Sequence, residues 1–499
     1  MGRYLSHRTP AESMPIPAEL RSLRSRRHPV AVTLRRRGAV VALAVRDEAD
    51  PCTNLLAAAL RALRSPKLPD RVDRQVLAAL TVEVDVLSSL RDVRRGELAE
   101  QFVPGLTGLA YSRGGPEAPP GRTDRSVAWV LPAAAYVLGL DAEQVRRGAM
   151  GRFRLTAANA SRPSRLAIFT TRHYVGQPGG RVVELFRGKD LSRRGALDGQ
   201  ALLAAAERVG AYLAGHQAPT GRYLEDDRPA SLRDHLYAAW AMARLARGRG
   251  AGQLADSASH AAAHAMKLLR RQQRRAWVAT RRAEDRLAAT ALLALTLQQS
   301  KLDGRISALR QELARYLAGE LSGLKAPAAS RPAAASAGAY VAMLALSAEP
   351  DAARDDLGIR KTLAGAEPAD LEARLWAWRA GLRGPPVRGH LSQRGPEALP
   401  DESGGFAAPG AAPSTLLTGL AAACLSRPPA HGGVSSEAEV ARRRLAAARP
   451  FCYGMMYQPA EAYFAGDPRV WVGGVRAGPQ RAAVTTAACA AAIDAFLAR

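Results

Sequence analysis

Five segments in the second half of the chain are almost free of charged residues over about three helical turns each. They are rich in alanine and leucine and cover residues 236–246, 287–297, 338–347, 414–425 and 484–497. A helix that is apolar on every side must be buried on every side. These segments therefore predict the inner helices of a helical array.

Each apolar segment follows a more amphipathic one, in which charged residues recur on one face and leucine and alanine on the other. These outer segments are residues 200–217, 257–272, 305–321, 371–382 and 436–449. The alternation favours a closed, all-α toroid of helical hairpin repeats, because an open solenoid has more evenly amphipathic layers. The proline- and glycine-rich stretch 384–413 is expected to form a long loop in this array.

The first half of the chain alternates between strand and helix patterns. The predicted elements are a β-hairpin at 28–46, a helix at 51–65 and a closing strand at 166–175. In residues 82–86, three valines alternate with Glu83 and Asp85, which predicts a strand with one face in water. The first half therefore indicates an α+β domain.

The chain is too long, at 499 residues, for one ordinary hydrophobic core. We expect the α+β domain to cover residues 20–175 and the toroid to cover 200–499. A polar tail is expected at residues 1–19 and a linker at residues 176–199.

The order of hairpin, helix, LTVEVDVLSSLRDV (80–93) and VPGLTGL (103–109) is similar to that of the AMMECR-type domain. That family has an α+β fold and undetermined biochemistry. Its signature hexapeptide LRGCIG is the usual candidate for an active site, whereas residues 40–45 here are VVALAV. The resemblance thus implies a degenerate domain that keeps the fold as a scaffold or interaction surface, and no functional residue carries over.

The second half resembles the α/α-toroid superfamily. This superfamily includes terpene cyclases, prenyltransferase β-subunits and six-hairpin sugar-active enzymes. Its local marks here are QAPTG at 217–221, followed by Arg222 and Tyr223, and the polar closing segment 457–478. These marks imply a fold and leave open whether the protein is an enzyme.

The formal net charge is +26, and most of it comes from arginine. A basic chain suggests a polyanion or nucleic-acid partner, but the arginines are spread along the whole chain and aromatic residues are only 5%. No apolar run is long enough for a membrane helix, and the start lacks the apolar core of a signal peptide. We therefore expect a cytoplasmic protein that does not enter membranes.

Several motifs that would indicate cofactor or metal chemistry are missing. The sequence has no DxDD, DDxxD, GxxxxGK[ST] or GxSxG motif. The four cysteines are scattered without a CxxC pair, which argues against a zinc site. No cofactor and no metal ion are expected.

Acidic residues recur at the predicted turns between helices, where different hairpins of a toroid would bring them to one end. Two such carboxylates could flank a glycosidic bond as acid and base. The candidate catalytic residues are Asp226, Asp227, His235 and Glu461. The candidate ligand-binding residues are Tyr223, Phe406, Tyr463, Asp467 and Arg476. The alternative is that the acids cap helices or pair with the many arginines.

Three functions follow from these observations. The sequence favours a non-catalytic scaffold or ligand-binding module built on the toroid, with a carbohydrate-like small molecule or a protein as partner. The first alternative is a carbohydrate-active toroid enzyme, either glycosidase-like or epimerase-like, that uses the turn carboxylates. The second alternative is an arginine-rich binder of polyanions or nucleic acid.

Overall fold

The structure is a computed structural model, and it divides the chain into two compact units. The described residues are 28–47, 49–113, 127–151, 164–176, 181–193, 197–299, 304–323, 336–349, 356–382, 391–395, 397–426 and 435–498. The first unit comprises Met1–Arg193, Tyr457–Val472 and Gln480–Ala483, and the second comprises Arg194–Met456, Gly473–Pro479 and Val484–Arg499. The predicted tail at 1–19 lies outside the described residues.

These bounds differ from the expected ones in two places. Residues 181–193, expected in a linker, belong to the first unit. Residues 457–472, expected in the toroid, also belong to the first unit. Their aromatic side chains pack on the sheet of that unit, since Tyr463 lies in one cluster with Val175 and Leu185.

The first unit is built on one antiparallel sheet. Its strands are β1 (Val30–Arg36), β2 (Ala39–Arg46), β3 (Leu80–Leu87), β4 (Arg91–Asp92), β5 (Thr107–Arg113), β6 (Val127–Val130), β7 (Ser164–Gly176) and β8 (Val182–Leu185). The strand order is β2-β1-β3-β7-β5-β6, and β4 and β8 also pair with β7. Its helices are α1 (Pro51–Leu63), α2 (Arg74–Ala78), α3 (Leu98–Gln101), α4 (Pro132–Val137) and α5 (Ala142–Gly151).

Helix α1 shows how local sequence sets these elements. Asp50 accepts hydrogen bonds from the backbone N–H groups of Cys52 and Thr53, and Pro51 occupies the first turn, where a missing N–H costs nothing. The buried face of the helix packs against strands β1 and β2. An apolar layer of the first unit therefore lies between α1 and the face of the sheet that β1 and β2 present to this helix.

The prediction that β3 has one face in water is wrong. Glu83 and Asp85 are 2% and 0% exposed, while Val82 and Val84 are only partly buried. The carboxylates are buried because Arg35 and His173 lie opposite them and satisfy their charges. Strict alternation of polar and apolar residues shows that a strand has two different faces, but it does not show that the polar face is wet.

The second unit is dominated by helices. They are α6 (Gly199–Gly215), α7 (Leu232–Arg249), α8 (Gly252–Met266), α9 (Ala283–Gln299), α10 (Gly304–Gly323), α11 (Ala337–Ser347), α12 (Asp356–Gly365), α13 (Leu371–Arg379), α14 (Thr415–Leu425), α15 (Ser435–Met455) and α16 (Thr486–Leu497). Helices α7, α9, α11, α13, α14 and α16 each pack against the next, and α16 packs back against α7. They form a closed inner ring, against which α6, α8, α10, α12 and α15 pack from outside.

Two expectations for this unit need correction. Residues 371–382, expected in an outer helix, form the inner-ring helix α13, because the charge of Arg379 is satisfied by a buried carboxylate instead of water. The unit is also not purely α-helical. It contains the two-stranded ribbons β9 (Leu224–Glu225) with β10 (Arg228–Pro229), β11 (Leu269–Gln272) with β12 (Arg275–Val278), and β13 (Ser392–Gln393) with β14 (Phe406–Ala407). The last strands of the chain are β15 (Arg476–Gly478) and β16 (Arg481–Val484).

The predicted loop at 384–413 is only partly described. Its described part carries the ribbon of β13 and β14. Across the described chain, no helix combines the length and the apolar character needed to cross a lipid bilayer.

Small residues allow the inner helices to approach closely. A Cβ atom added to Gly419 of α14 would overlap the backbone carbonyl of Ala491 in α16. We predict that Gly419→Ala destabilises the second unit by about 1–3 kcal/mol, because two packed backbones must separate. Denaturant unfolding measures this change.

Gly248→Ala is the matched control, since Gly248 lies in α7 with open space around its Cα. Alanine is a better helix former than glycine, so this variant should be neutral or slightly stabilised. Equal effects of the two substitutions would contradict the close approach of α14 and α16.

Candidate ligand-binding site

A cavity of about 280 Å³ opens within the second unit. Residues from all six inner-ring helices or the turns just after them line it, and most of these residues lie towards the C-terminal ends. Its polar lining residues are Arg244, Gln298, Gln299, Arg379, Ser426 and Asp494, together with Trp240. Five of the inner helices therefore end at this cavity, whereas α7 passes it and continues five residues beyond Arg244 to Arg249.

Asp494 of α16 is the centre of this site. Its side chain is fully buried and accepts hydrogen bonds from the Tyr237 hydroxyl at 2.7 Å and from Arg379 Nη1 at 2.6 Å, both on Oδ2. Arg244 Nη1 donates to the other oxygen, Oδ1. Three helices, α7, α13 and α16, are thus connected through one carboxylate.

The surroundings of Asp494 keep it ionised. Burial opposes the charged form, but the positive charges of Arg379 and Arg244 and the hydrogen bonds outweigh it, so the pKa of Asp494 is held below its ordinary value. A carboxylate in this state accepts hydrogen bonds and does not donate a proton near neutral pH. It is suited to orienting a ligand and not to acting as a general acid.

Aromatic rings support the two arginines. The Arg379 guanidinium carbon lies 4.5 Å from the ring centroid of Trp240 and 5.1 Å from that of Trp376. The Arg244 guanidinium carbon lies 5.3 Å from the ring centroid of Trp240. Such cation–π contacts stabilise a positive charge that is wholly or partly buried.

The sequence pattern did not single out these candidate residues, because apolar segments of this kind indicate buried core. One signal was present in the sequence: Asp494 is the single acidic residue of 484–497, and Arg244 is the single basic residue of 236–246. Because an unpaired buried charge is very costly, lone charges of opposite sign on two inner helices should have indicated a buried pair.

The cavity does not contain the candidate residues that the sequence indicated. Asp226 and Asp227 form the exposed two-residue turn between β9 and β10, where both have positive φ angles of 47° and 61°. Asp tolerates this left-handed conformation in a tight hairpin. The neighbouring Glu225 makes the contact with an inner helix, since its Oε1 accepts a hydrogen bond from the N–H of Thr486 at 2.6 Å.

His235 and Tyr223 lie together at the start of α7. The N–H of Tyr223 donates to Nδ1 of His235 at 3.3 Å, and Nε2 of His235 donates to the Ala261 carbonyl at 3.1 Å. The Tyr223 hydroxyl contacts Ser257 Oγ at 3.1 Å. Burial lowers the pKa of His235 to about 4, so the ring is neutral at neutral pH and connects α7 to α8.

Phe406 and Arg476 lie at the start of α14. The N–H of Phe406 donates to Thr418 Oγ1 at 2.9 Å, and the carbonyl of Arg476 accepts a hydrogen bond from Thr415 Oγ1 at 2.6 Å. Both side chains are buried. Through these two backbone hydrogen bonds, the segments that contain Phe406 and Arg476 are attached to the first turn of α14.

The remaining candidates, Glu461, Tyr463 and Asp467, belong to the first unit. Glu461 is buried, and its carboxylate accepts hydrogen bonds from the N–H of Asp190 at 2.9 Å and from that of Gln458 at 3.3 Å. Asp467 is exposed and pairs with Arg469 at 2.9 Å. The candidate set is therefore divided between the two units.

Tyr463 packs against a buried group of charges on strands β1, β3 and β7. Its ring centroid lies 5.5 Å from that of His173 and 5.5 Å from the guanidinium carbon of Arg35. Arg35 pairs with Glu83. His173 Nδ1 lies 3.0 Å from Asp85 Oδ1, and its Nε2 lies 3.8 Å from Glu83 Oε2.

The charges in this group are coupled. Burial opposes a charged imidazole, but the carboxylates of Asp85 and Glu83 outweigh burial and raise the pKa of His173. Burial also raises the pKa of Glu83, although His173 and Arg35 act in the opposite direction. With His173 protonated, Arg35 and His173 can balance two carboxylates, as a buried network requires.

The chain has remote likenesses to two solved structures. No family model matches the chain, and no curated protein matches it. An uncharacterized protein from Pyrococcus horikoshii is similar over 37% of this chain and 90% of its own, with 18% identity and a TM-score of 0.31. A family 76 glycoside hydrolase from a bovine Bacteroides thetaiotaomicron strain is similar over 83% of this chain and 95% of its own, with 9% identity and a TM-score of 0.33. At these TM-scores neither likeness decides the fold or the activity.

Replacing the central carboxylate tests its role in the ring. We predict that Asp494→Asn lowers the free energy of unfolding of the second unit by about 3–5 kcal/mol, because Arg379 keeps a buried charge without its counter-ion. Urea unfolding, with hydrogen exchange in α7, α13 and α16 as the probe, measures this loss.

Glu207→Gln, which breaks an exposed pair with Arg249, is the control and should cost less than about 1 kcal/mol. A loss for Asp494→Asn as small as that of the control would contradict the role given to Asp494.

The pH dependence of the first unit tests the coupled charges. A raised folded pKa means that His173 stabilises the unit fully below the unfolded value of about 6.5 and loses this effect as the pH rises through the folded pKa. We therefore predict that His173→Gln costs more stability at about pH 5.5 than at alkaline pH. Hydrogen exchange of β3 and β7 between these pH values gives the stability.

Ser88→Ala is the control for this experiment, because Ser88 Oγ accepts a hydrogen bond from the N–H of Thr170 on β7 at 2.9 Å and carries no titratable group. It should change stability by a similar amount at both pH values. A cost of His173→Gln that does not depend on pH would show that folding leaves the pKa of His173 unchanged, and a larger cost at alkaline pH would show that folding lowers it. Either result would contradict the coupling with the carboxylates.

Proposed function

We propose that the second unit is a non-catalytic binding module for a small, hydroxyl-rich molecule of carbohydrate-like chemistry. The observation that carries the proposal is the polar cavity at the ends of the inner helices. Its volume of about 280 Å³ lies just below the range of roughly 300–1,000 Å³ that is typical of small-molecule sites. A ligand no larger than one or two sugar rings suits this space.

The chemistry of the lining supports a hydroxyl-rich ligand. Arginine and glutamine side chains supply hydrogen-bond donors at this cavity. The last carbonyl groups of an α-helix lack partners within the helix, so helix ends supply acceptors. A hydroxyl group donates and accepts at the same time, and a molecule with several hydroxyls can use both kinds of group.

The same lining supports binding without hydrolysis. Hydrolysis of a glycosidic bond needs two carboxyl groups on either side of that bond. Among the described residues that line the cavity, Asp494 is the only acidic one, and its two oxygens already accept three hydrogen bonds. The carbohydrate-active enzyme is therefore the less favoured candidate at this cavity.

For the first unit, the proposal is a degenerate AMMECR-type domain that serves as a scaffold. Its support is the succession of β1, β2, α1 and β3 along the chain. Residues 40–45, which stand where the family has its signature hexapeptide, lie within β2 and pair with β1. This stretch contains only valine, alanine and leucine and offers no side chain for catalysis.

A blocking substitution tests the binding proposal. Ala348 is exposed at the end of α11 and lines the cavity, so Ala348→Trp would fill the opening without entering the core. We predict that calorimetry of the full chain with a panel of monosaccharides and disaccharides detects binding, and that Ala348→Trp weakens it at least about tenfold, or 1.4 kcal/mol.

Ala364→Trp is the matched control, because Ala364 is exposed on α12 and does not line the cavity. This variant should bind as the unchanged protein does. The absence of any binding up to millimolar ligand, or binding that Ala348→Trp leaves unaltered, would exclude the cavity as the site.

A further inference from the structure

The charges around the cavity do not balance. The guanidinium groups of Arg244 and Arg379 both donate to the single carboxylate of Asp494. Among the described lining residues, these three are the charged ones, so the site carries one positive charge in excess. Uncompensated charge that has been removed from water is costly, and a ligand of opposite charge would relieve that cost.

Arg244 is the arginine that a ligand can reach. Its side chain is 29% exposed, whereas that of Arg379 is 5% exposed. Its Nη1 donates to Asp494, while its Nε and second terminal nitrogen have no protein acceptor among the described residues. These two N–H groups form the fork that binds a carboxylate through two parallel hydrogen bonds.

Other donors around the cavity are also unused. The indole Nε1 of Trp240, whose ring lies against Arg244, has no hydrogen-bond partner in the described part of the structure. The side-chain oxygen of Gln299 accepts a hydrogen bond from Arg247 at 3.3 Å, which leaves its NH₂ group for a ligand. Unused donors therefore outnumber unused acceptors among these side chains, which favours a ligand rich in acceptor atoms.

We infer that the ligand of this cavity is a small polyhydroxy acid, such as a sugar acid, whose carboxylate pairs with Arg244. The inference rests on the proposed function, since it names the chemical class of the molecule bound there. Asp494 positions Arg244 by holding one of its nitrogens, and the fork of Nε and the second terminal nitrogen takes the ligand carboxylate. The hydroxyl groups of the ligand contact the amides and the helix ends.

A carboxylate fits this site better than a phosphate. A carboxylate presents two oxygens to the Nε and Nη2 fork of Arg244, and its single negative charge equals the one positive charge in excess among the described lining residues. A phosphate dianion would leave one negative charge unbalanced. The partial negative charges of the helix C-termini are confined to the last turn of each helix, and they add to the cost of that unbalanced charge.

The experiment compares matched ligands on the full chain by calorimetry. The pairs are glucose with glucuronate and galactose with galacturonate, and glucose 6-phosphate is the phosphate probe. We expect at least one acid to bind about tenfold more tightly than its neutral partner. Arg244→Gln should bring this ratio close to one, and Arg244→Lys should restore it only in part, because an ammonium lacks the fork.

Arg249→Gln is the control for charge, since Arg249 lies on the same helix in an exposed pair with Glu207. It should leave the ratio of acid to neutral affinity unchanged. Thermal unfolding of each variant checks that the second unit is folded.

The outcomes separate this inference from the proposal on which it rests. Binding of neutral sugars with no preference for acids would overturn the inference and leave the binding module standing, as would a preference that Arg244→Gln does not reduce. Tighter binding of glucose 6-phosphate than of any carboxylate would overturn the choice of anion. If no sugar binds, both the sugar-acid inference and the proposed binding module are wrong.

Discussion

The buried carboxylate of Asp494 is the interaction on which the second unit depends. It joins α16 to α7 through Tyr237 and Arg244, and to α13 through Arg379. Helix packing alone would be satisfied by any well-filled apolar core, whereas a buried charge tolerates only an arrangement that brings its partners within hydrogen-bond distance. Asp494 therefore acts as a constraint on which helices meet at the centre of the ring.

The alanine-rich composition of the inner helices serves the same arrangement. Small side chains let backbones approach, as at Gly419 and Ala491, and leave the centre for the few large groups. Trp240, Trp376 and Arg379 stack there, close to the cavity. A ring of leucine-rich helices would fill its own centre with apolar side chains, and neither the ion network nor the cavity would have space.

The first unit applies the same rule to a sheet. Glu83 and Asp85 on β3 are buried because Arg35 and His173 on neighbouring strands lie opposite them. The sequence pattern correctly indicated the hairpin, α1 and β3, since strand alternation and helix capping are local. It could not indicate that the polar face of β3 is covered, because Tyr463, which packs there, is almost 400 residues further along the chain.

Local sequence alone determined the inner helices, most of the outer helices and the α+β character of the first half, because hydrophobic period and capping act over one or two helical turns. The tertiary structure decided the rest. It made α13 an inner helix, because Arg379 finds its counter-charge on α16, more than a hundred residues away. It placed Asp226 and Asp227 in an exposed turn and gathered Arg244, Arg379 and Asp494 at a cavity. Charges that are distant in sequence pair only when the inner helices close into a ring. No local sequence pattern shows which helices become neighbours in that ring.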